Sequence, residues 1–332
     1  MTRFLKSREA MLTGAILALL ALIASRFPGF IAPGNLARVF TDTSPLLILA
    51  LGQTVVILTR CIDLSVAANL ALSGMVCAML NAAWPGLPVP VILAVAVTLG
   101  AIMGMANGIL VWKLQIPPIV VTLGTMTIYR GIIFLISDGA WVNAHEMSAA
   151  FTGFPRASLL GLPVLAWMGI LATAGVALMI ARTPLGRAFY AVGGNPHAAV
   201  YTGLSVGRTQ FWAFTLSGAL AGLTGYLWVA RYAVAYVDIA AGFELEVVAA
   251  CVIGGISIAG GAGTILGTLL GALFLGIVKN ALPVVDVSPF WQMAISGSAI
   301  IVAVTLNTRS ARTKGRIILR SAEHRAPEGA AA

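Results

Sequence analysis

Charge is scarce in this sequence: Asp, Glu, Lys and Arg make up 9% of its 332 residues, against roughly 25% in a soluble domain. A water-soluble fold of this size would lack the polar surface to cover itself. Histidine is rarer still. His145, His197 and His324 fall in three separate loops or tails. Neither H-E-x-x-H nor G-x-S-x-G occurs, which argues against a metal site or a hydrolytic triad. The cysteines are Cys61, Cys77 and Cys251. They form no C-x-x-C pair and no zinc spacing, and read as small fillers of apolar packing. A phosphate loop is missing too. Gly260-Gly261-Ala262-Gly263-Thr264 is rich in glycine but lacks the Lys-Ser/Thr pair that holds phosphate and magnesium. The chain is therefore not expected to be an enzyme that binds nucleotide, nor an intramembrane transferase, which would need acids or bases gathered at one depth.

What the sequence does have is length of apolar run. Apolar residues reach 59% and the mean hydropathy is +0.98. A membrane-crossing helix needs about 20 such residues. Length, Pro/Gly punctuation and loop charge place about ten spans, at 11–27, 45–59, 63–82, 89–111, 117–137, 163–181, 211–230, 243–259, 263–282 and 289–307. The basic start resembles a signal peptide, but Ser25-Arg26-Phe27-Pro28 is a poor cleavage site and many spans follow, so the first helix reads as retained. Fourteen of the 20 basic residues then fall on the side of the N-terminus, against four on the other, with Arg130 and Lys279 in or beside spans. The positive-inside rule puts both termini in the cytoplasm. The expected fold is an all-α integral membrane protein of the inner membrane, in a lipid bilayer. Residues 1–10 form a cytoplasmic start, 11–307 the transmembrane region with a cytoplasmic loop at 182–210, and 308–332 a basic tail expected to be disordered. Basic residues placed this way orient a membrane protein, and no nucleic-acid partner is expected.

Within this frame, Gly242–Leu282 is read as two spans joined by a tight glycine turn, or as a re-entrant pair. Glycines four apart, Gly100/Gly104/Gly108, Gly218/Gly222 and Gly263/Gly267/Gly271, read as close helix packing. Asp63 reads as a helix N-cap rather than a proton site. Arg130 either pairs with a carboxylate or extends toward the membrane surface. Glu244 faces the bundle interior or an ordinary interface. Gln53, Asn69, Asn107, Asn280 and Gln292 are polar residues in apolar runs. They either line a path for a polar solute or hydrogen-bond helix to helix.

The loop at 182–210 contains Asn195, a plausible N-cap, with Pro196 at the first helical position and Gly203 as a stop, giving a helix of about two turns. The segment from Thr183 to Leu204 closely resembles the coupling loop of bacterial ABC-type monosaccharide permeases, the ribose, arabinose, autoinducer-2 and rhamnose group. The likeness runs from about Ser44 to Asn307 and includes Ile62-Asp63-Leu64-Ser65-Val66, Pro117-Pro118-Ile119-Val120-Val121-Thr122-Leu123-Gly124-Thr125, Tyr129-Arg130-Gly131 and Ala249-Ala250-Cys251-Val252-Ile253-Gly254-Gly255-Ile256-Ser257. Trp141–His145, Tyr232–Asp238 and Ser288–Met293 are most similar to the rhamnose permeases. Ala67 stands where many members have glycine, which fits a ribose-type permease less well.

The resemblance implies a mechanism. Two permease subunits, identical or related, form the pathway. A periplasmic sugar-binding protein docks outside. An ATP-binding-cassette ATPase subunit carries ATP and Mg and grips Asn195, Pro196, His197, Ala198, Ala199, Tyr201, Gly203 and Leu204, while this chain binds no cofactor. Gln53, Asn69, Asn107, Arg130, Glu244, Asn280 and Gln292 become candidates for the sugar path. The competing reading is an ion-coupled secondary transporter using Asp63 or Glu244, and within the family the alternatives to rhamnose are another pentose or autoinducer-2.

Overall fold

The computed structural model describes residues 8–285 together with residues 291, 294, 297 and 298. Helices dominate, because backbone polar groups in hydrocarbon must be satisfied within the chain. The first five are α1 (Arg8–Arg26), α2 (Pro33–Leu58), α3 (Val66–Ala83), α4 (Val89–Lys113) and α5 (Pro118–Ser137). A short irregular region follows with β1 (Val142–Asn143), α6 (Ala149–Gly153), β2 (Ser158–Leu159) and β3 (Leu162–Pro163). Then come α7 (Val164–Arg182), α8 (Pro184–Gly194), α9 (Pro196–Tyr201), α10 (Val206–Tyr232), β4 (Val234–Ala235), α11 (Phe243–Ile253) and α12 (Ile265–Ala281). β1 pairs antiparallel with β4, with Val142 opposite Ala235, and β2 pairs with β3.

Among the described residues, eight helices are long and apolar enough to cross a bilayer: α1 to α5, α7, α10 and α12. They fall on eight of the ten expected spans. The tenth, 289–307, falls almost wholly outside the described residues, as does all of the tail 308–332. Two boundaries differ. The second span begins at Pro33 and keeps Pro45 inside the helix. Proline removes one backbone donor there, and a buried helix tolerates this when neighbouring helices pack around it. The expected eighth span is shorter than 243–259. The eleven residues of α11 rise about 16 Å, roughly half the hydrocarbon thickness. Gly255, Gly260, Gly261 and Gly263 then take positive φ, so 254–264 runs without helix instead of turning tightly. Hydropathy stays high through this region and hides the break.

The bundle is built around α2, whose apolar window is 94% buried, while α1, at 11%, sits at the periphery. α4 lies against α10 through the expected glycines. A Cβ on Gly100 would overlap the Gly218 carbonyl and lie 2.6 Å from Gly222 Cα. Small residues permit this approach in lipid, where no hydrophobic force drives helices together. Gly267 and Gly271 do the same for α12 against α11, facing Gly254 and Ala250. Cys61, Cys77 and Cys251 are all free and buried, as packing fillers should be.

Candidate functional site

The loop at 182–210 folds as two helices rather than one. Thr183 caps α8 by accepting from the Gly186 N–H (3.1 Å), with Pro184 at its first turn. Asn195 caps α9 in the same way, its Oδ1 accepting from Ala198 N–H (3.1 Å). The far end of α9 is closed by a pair of bonds, Leu204 N–H to Ala199 O (3.0 Å) and Gly203 N–H to Val200 O (2.9 Å). That pattern needs a left-handed residue, supplied by Gly203 at φ +83°. The helix therefore ends at Tyr201, and Leu204 lies beyond it as part of the closure. Ala199 is buried, while His197, Ala198, Val200 and Tyr201 are exposed, Tyr201 at 92%. A six-residue helix fixed at both ends thus presents an aromatic ring to its surroundings.

α8 is anchored where α9 is not. Phe189 and Val192 are fully buried. Its last carbonyls are held by Arg60, from Nε to Gly193 O (2.6 Å) and from Nη2 to Gly194 O (2.9 Å). A cation at a helix C-terminus is favourable for the dipole as well as for the bonds. Gly193 packs directly on the end of α2, and a Cβ there would overlap the Leu58 carbonyl. That same carbonyl accepts from Gly261 N–H (3.0 Å). Tyr190 OH donates to Gly263 O (2.8 Å), and burial raises the phenol above its ordinary value, so it remains a donor. The glycine segment after α11, the end of α2 and the base of α8 form one junction. Thr264 Oγ1 donates to Glu9 Oε1 (3.0 Å) at the same end.

The candidate path residues are dispersed. Gln53 is fully buried. In the amide orientation that satisfies both atoms, it donates to Asp63 O (3.1 Å) and accepts from Asp63 N–H (3.2 Å). Asn69 donates to Gly100 O (3.1 Å) and accepts from Ser73 (3.3 Å). Asn107 donates to Ser65 Oγ (2.8 Å), whose hydroxyl donates to Asp63 Oδ1 (2.6 Å). These three residues brace the segment between α2 and α3 and the helices beside it. Asp63 itself is not the N-cap. Ser65 holds that position, and Asp63 Oδ1 accepts from Ser65 N–H (2.9 Å), bracing the turn one step earlier. Asn107 Oδ1 and Ser217 Oγ are buried with no partner among the described residues.

Among the described residues, Arg130 makes no ion pair with a carboxylate within 4 Å. It donates to the carbonyls of Val237 and Ile239, the latter at 2.8 Å, tying α5 to the chain leading into α11. Glu244 is half-buried in the first turn of α11. Asn280 donates to Gly276 O (2.9 Å) and lines a cavity at the end opposite α8 and α9. Gln292 lies outside the described residues. Sequence reasoning missed α8, although Thr183-Pro184 carries the same cap-and-proline signal as Asn195-Pro196. It also missed Arg60, because two backbone carbonyls leave no trace in a sequence.

At the opposite end, the β1–β4 pairing brings Trp141 onto Tyr236, with ring centroids 4.7 Å apart and stacked. Tyr226 donates to Phe151 O (3.1 Å) and fixes α6 on α10.

A family model described as "Branched-chain amino acid transport system / permease component" matches residues 35–304. Among curated relatives, the ribose import permease protein RbsC of Escherichia coli K12 is 38% identical over 300 residues, covering 89% of this chain and 92% of its own. The RbsC of Haemophilus influenzae is 34% identical, covering 91% and 93%. The autoinducer 2 import system permease protein LsrC of Enterobacter sp. strain 638 is 37% identical, covering 93% and 89%. No solved structure matches.

Proposed function

The chain belongs to the family of branched-chain amino acid transport system permease components, and from that premise we propose that it is the membrane subunit of an ATP-driven importer for a monosaccharide, rhamnose. It is a multi-pass protein of the bacterial inner membrane. The observation that carries the importer reading is α9. Its two capped ends and exposed Tyr201 make a rigid knob suited to a groove on a partner ATPase, which supplies ATP and Mg. α8 and the Arg60 junction anchor that knob to α2 and to the segment after α11, so a push on α9 reaches the bundle. A second permease subunit completes the pathway. A sugar-binding protein docks at the opposite end, near β1 and β4, and ATP binding biases a two-state alternation of access.

Substrate class is supported by the relatives named for ribose and autoinducer 2. Rhamnose rests on Trp141–His145 and Tyr232–Asp238, two separate segments that meet in the β1–β4 pair. The third segment, Ser288–Met293, lies outside the described residues except for Trp291. Uptake of labelled sugars by this chain co-expressed with its ATPase and binding protein tests the assignment. Rhamnose is expected to enter and to stimulate ATP hydrolysis. Entry of ribose with no entry of rhamnose would overturn the rhamnose assignment and leave the importer standing.

A further inference from the structure

We infer that the cavity between α2, α10, α11 and α12 is a binding station for a neutral sugar within this chain; the inference rests on the importer reading above. The cavity holds about 530 Å³ and lies at the end away from α8 and α9. Ligand pockets run from roughly 300 to 1,000 Å³, so a monosaccharide with some water fits.

Its walls carry an unusual density of charge for this chain. Asp42 pairs with Arg231 at 3.0 Å and Glu246 with Lys279 at 3.0 Å. Asp42 is the tenth residue of α2, about 13 Å along the helix axis from its first residue. Charges in or beside a membrane bundle face its interior or a water-filled space, because lipid contact is costly. Neither pair is fully buried, and all four residues line the cavity. Asn280 gives one amide N–H to Gly276 O, which leaves its second N–H and its carbonyl for a ligand. Trp228, stacked edgewise on Phe243 at 4.9 Å and beside Tyr232 at 5.2 Å, gives the wall an aromatic side.

A sugar ring matches this set. Each hydroxyl both donates and accepts, so alternating carboxylates, guanidinium and ammonium serve its rim. Its C–H face suits an aromatic ring. Arg38 also lines the wall, so a cationic solute would meet three cations against two carboxylates and would be disfavoured. The mixed donors and acceptors of the wall suit the hydroxyls of a polyol.

The three native cysteines are buried, which makes introduced thiols readable. Asn280→Cys and Asn35→Cys place a thiol on the cavity wall, and Ser158→Cys places one on the exposed β2 strand at some distance as a control. Each variant is reconstituted with the ATPase subunit, without binding protein, and co-purification with that subunit reports folding. A charged, membrane-impermeant thiol reagent is expected to label all three. Rhamnose should slow labelling at residues 280 and 35 by about tenfold at about ten times Kd, since the free fraction falls with occupancy, and should leave residue 158 unchanged. Absence of labelling at both cavity positions would overturn the inference, because the cavity would be closed to water. Labelling that neither rhamnose nor ribose slows, up to their solubility, would also overturn it. If the unmodified importer still takes up sugar, only the station falls; if it takes up none, the importer reading falls first.

Discussion

A Cβ on Gly193 would overlap the Leu58 carbonyl and lie 2.5 Å from Gly261 N, and all of these atoms are backbone. Nothing there can rotate away. Gly193→Ala is expected to destabilise the junction by about 1–3 kcal/mol, the usual cost of overpacking, and to lower the thermal midpoint in detergent. Its neighbour gives the control, since Gly194 has nothing within 4 Å of its missing side chain. Gly194→Ala should fall within about 0.5 kcal/mol of the parent. Equal midpoints for the two variants would remove the junction from the account. Arg60 offers a second test at the same place. Its fork serves two carbonyls at once, which a lysine ammonium on a flexible stem does not reproduce. Arg60→Lys should keep the charge yet reduce ATP hydrolysis stimulated by the loaded binding protein. Unchanged stimulation would show that charge alone suffices. At this scale the sequence was only partly legible. The glycines and Arg60 were visible, but their partners are backbone atoms from α2, α8 and the segment after α11, which no spacing brings together.

Among the elements, α9 is the one whose caps were legible, because Asn195-Pro196 and Gly203 are local signals with local consequences. Asn195→Ala removes the bond to Ala198 and should destabilise α9 by about 1 kcal/mol. Tyr201→Ala is a sharper probe. Its ring is 92% exposed, so the permease alone should keep its stability. A buried aromatic anchor in a partner interface is worth about 2 kcal/mol or more, so binding of the ATPase subunit should weaken by about thirtyfold. Wild-type affinity in the Tyr201→Ala variant would contradict the gripping role. α11 illustrates the opposite case. Its apolar composition continues past Ile253 into a glycine-rich stretch that reads as membrane span, yet positive φ at Gly255, Gly260 and Gly261 ends the helix. The short helix joins two regions of interest: its first turn brings Glu246 to the cavity, and its far end leads to the junction held by Arg60 and α8.

For the molecule as a whole, the eight long helices were legible because hydrocarbon thickness sets a length that composition alone reveals. The cavity was not, since Asp42, Arg231, Glu246 and Lys279 come from four helices spread over most of the chain. Among the described residues, only Asn280 of the expected path residues reaches it; Gln53, Asn69 and Asn107 are engaged inside the bundle. Their polarity was visible and their partners were not, so the same residue type reads alike as brace or as path. The central claim concerns what drives the molecule, and transport in proteoliposomes tests it most directly. The chain is reconstituted alone and together with its ATPase and sugar-binding protein. The account predicts labelled sugar uptake only in the full assembly with ATP and Mg, and none from the chain alone under an imposed proton gradient. Uptake by the chain alone, driven by that gradient, would contradict it.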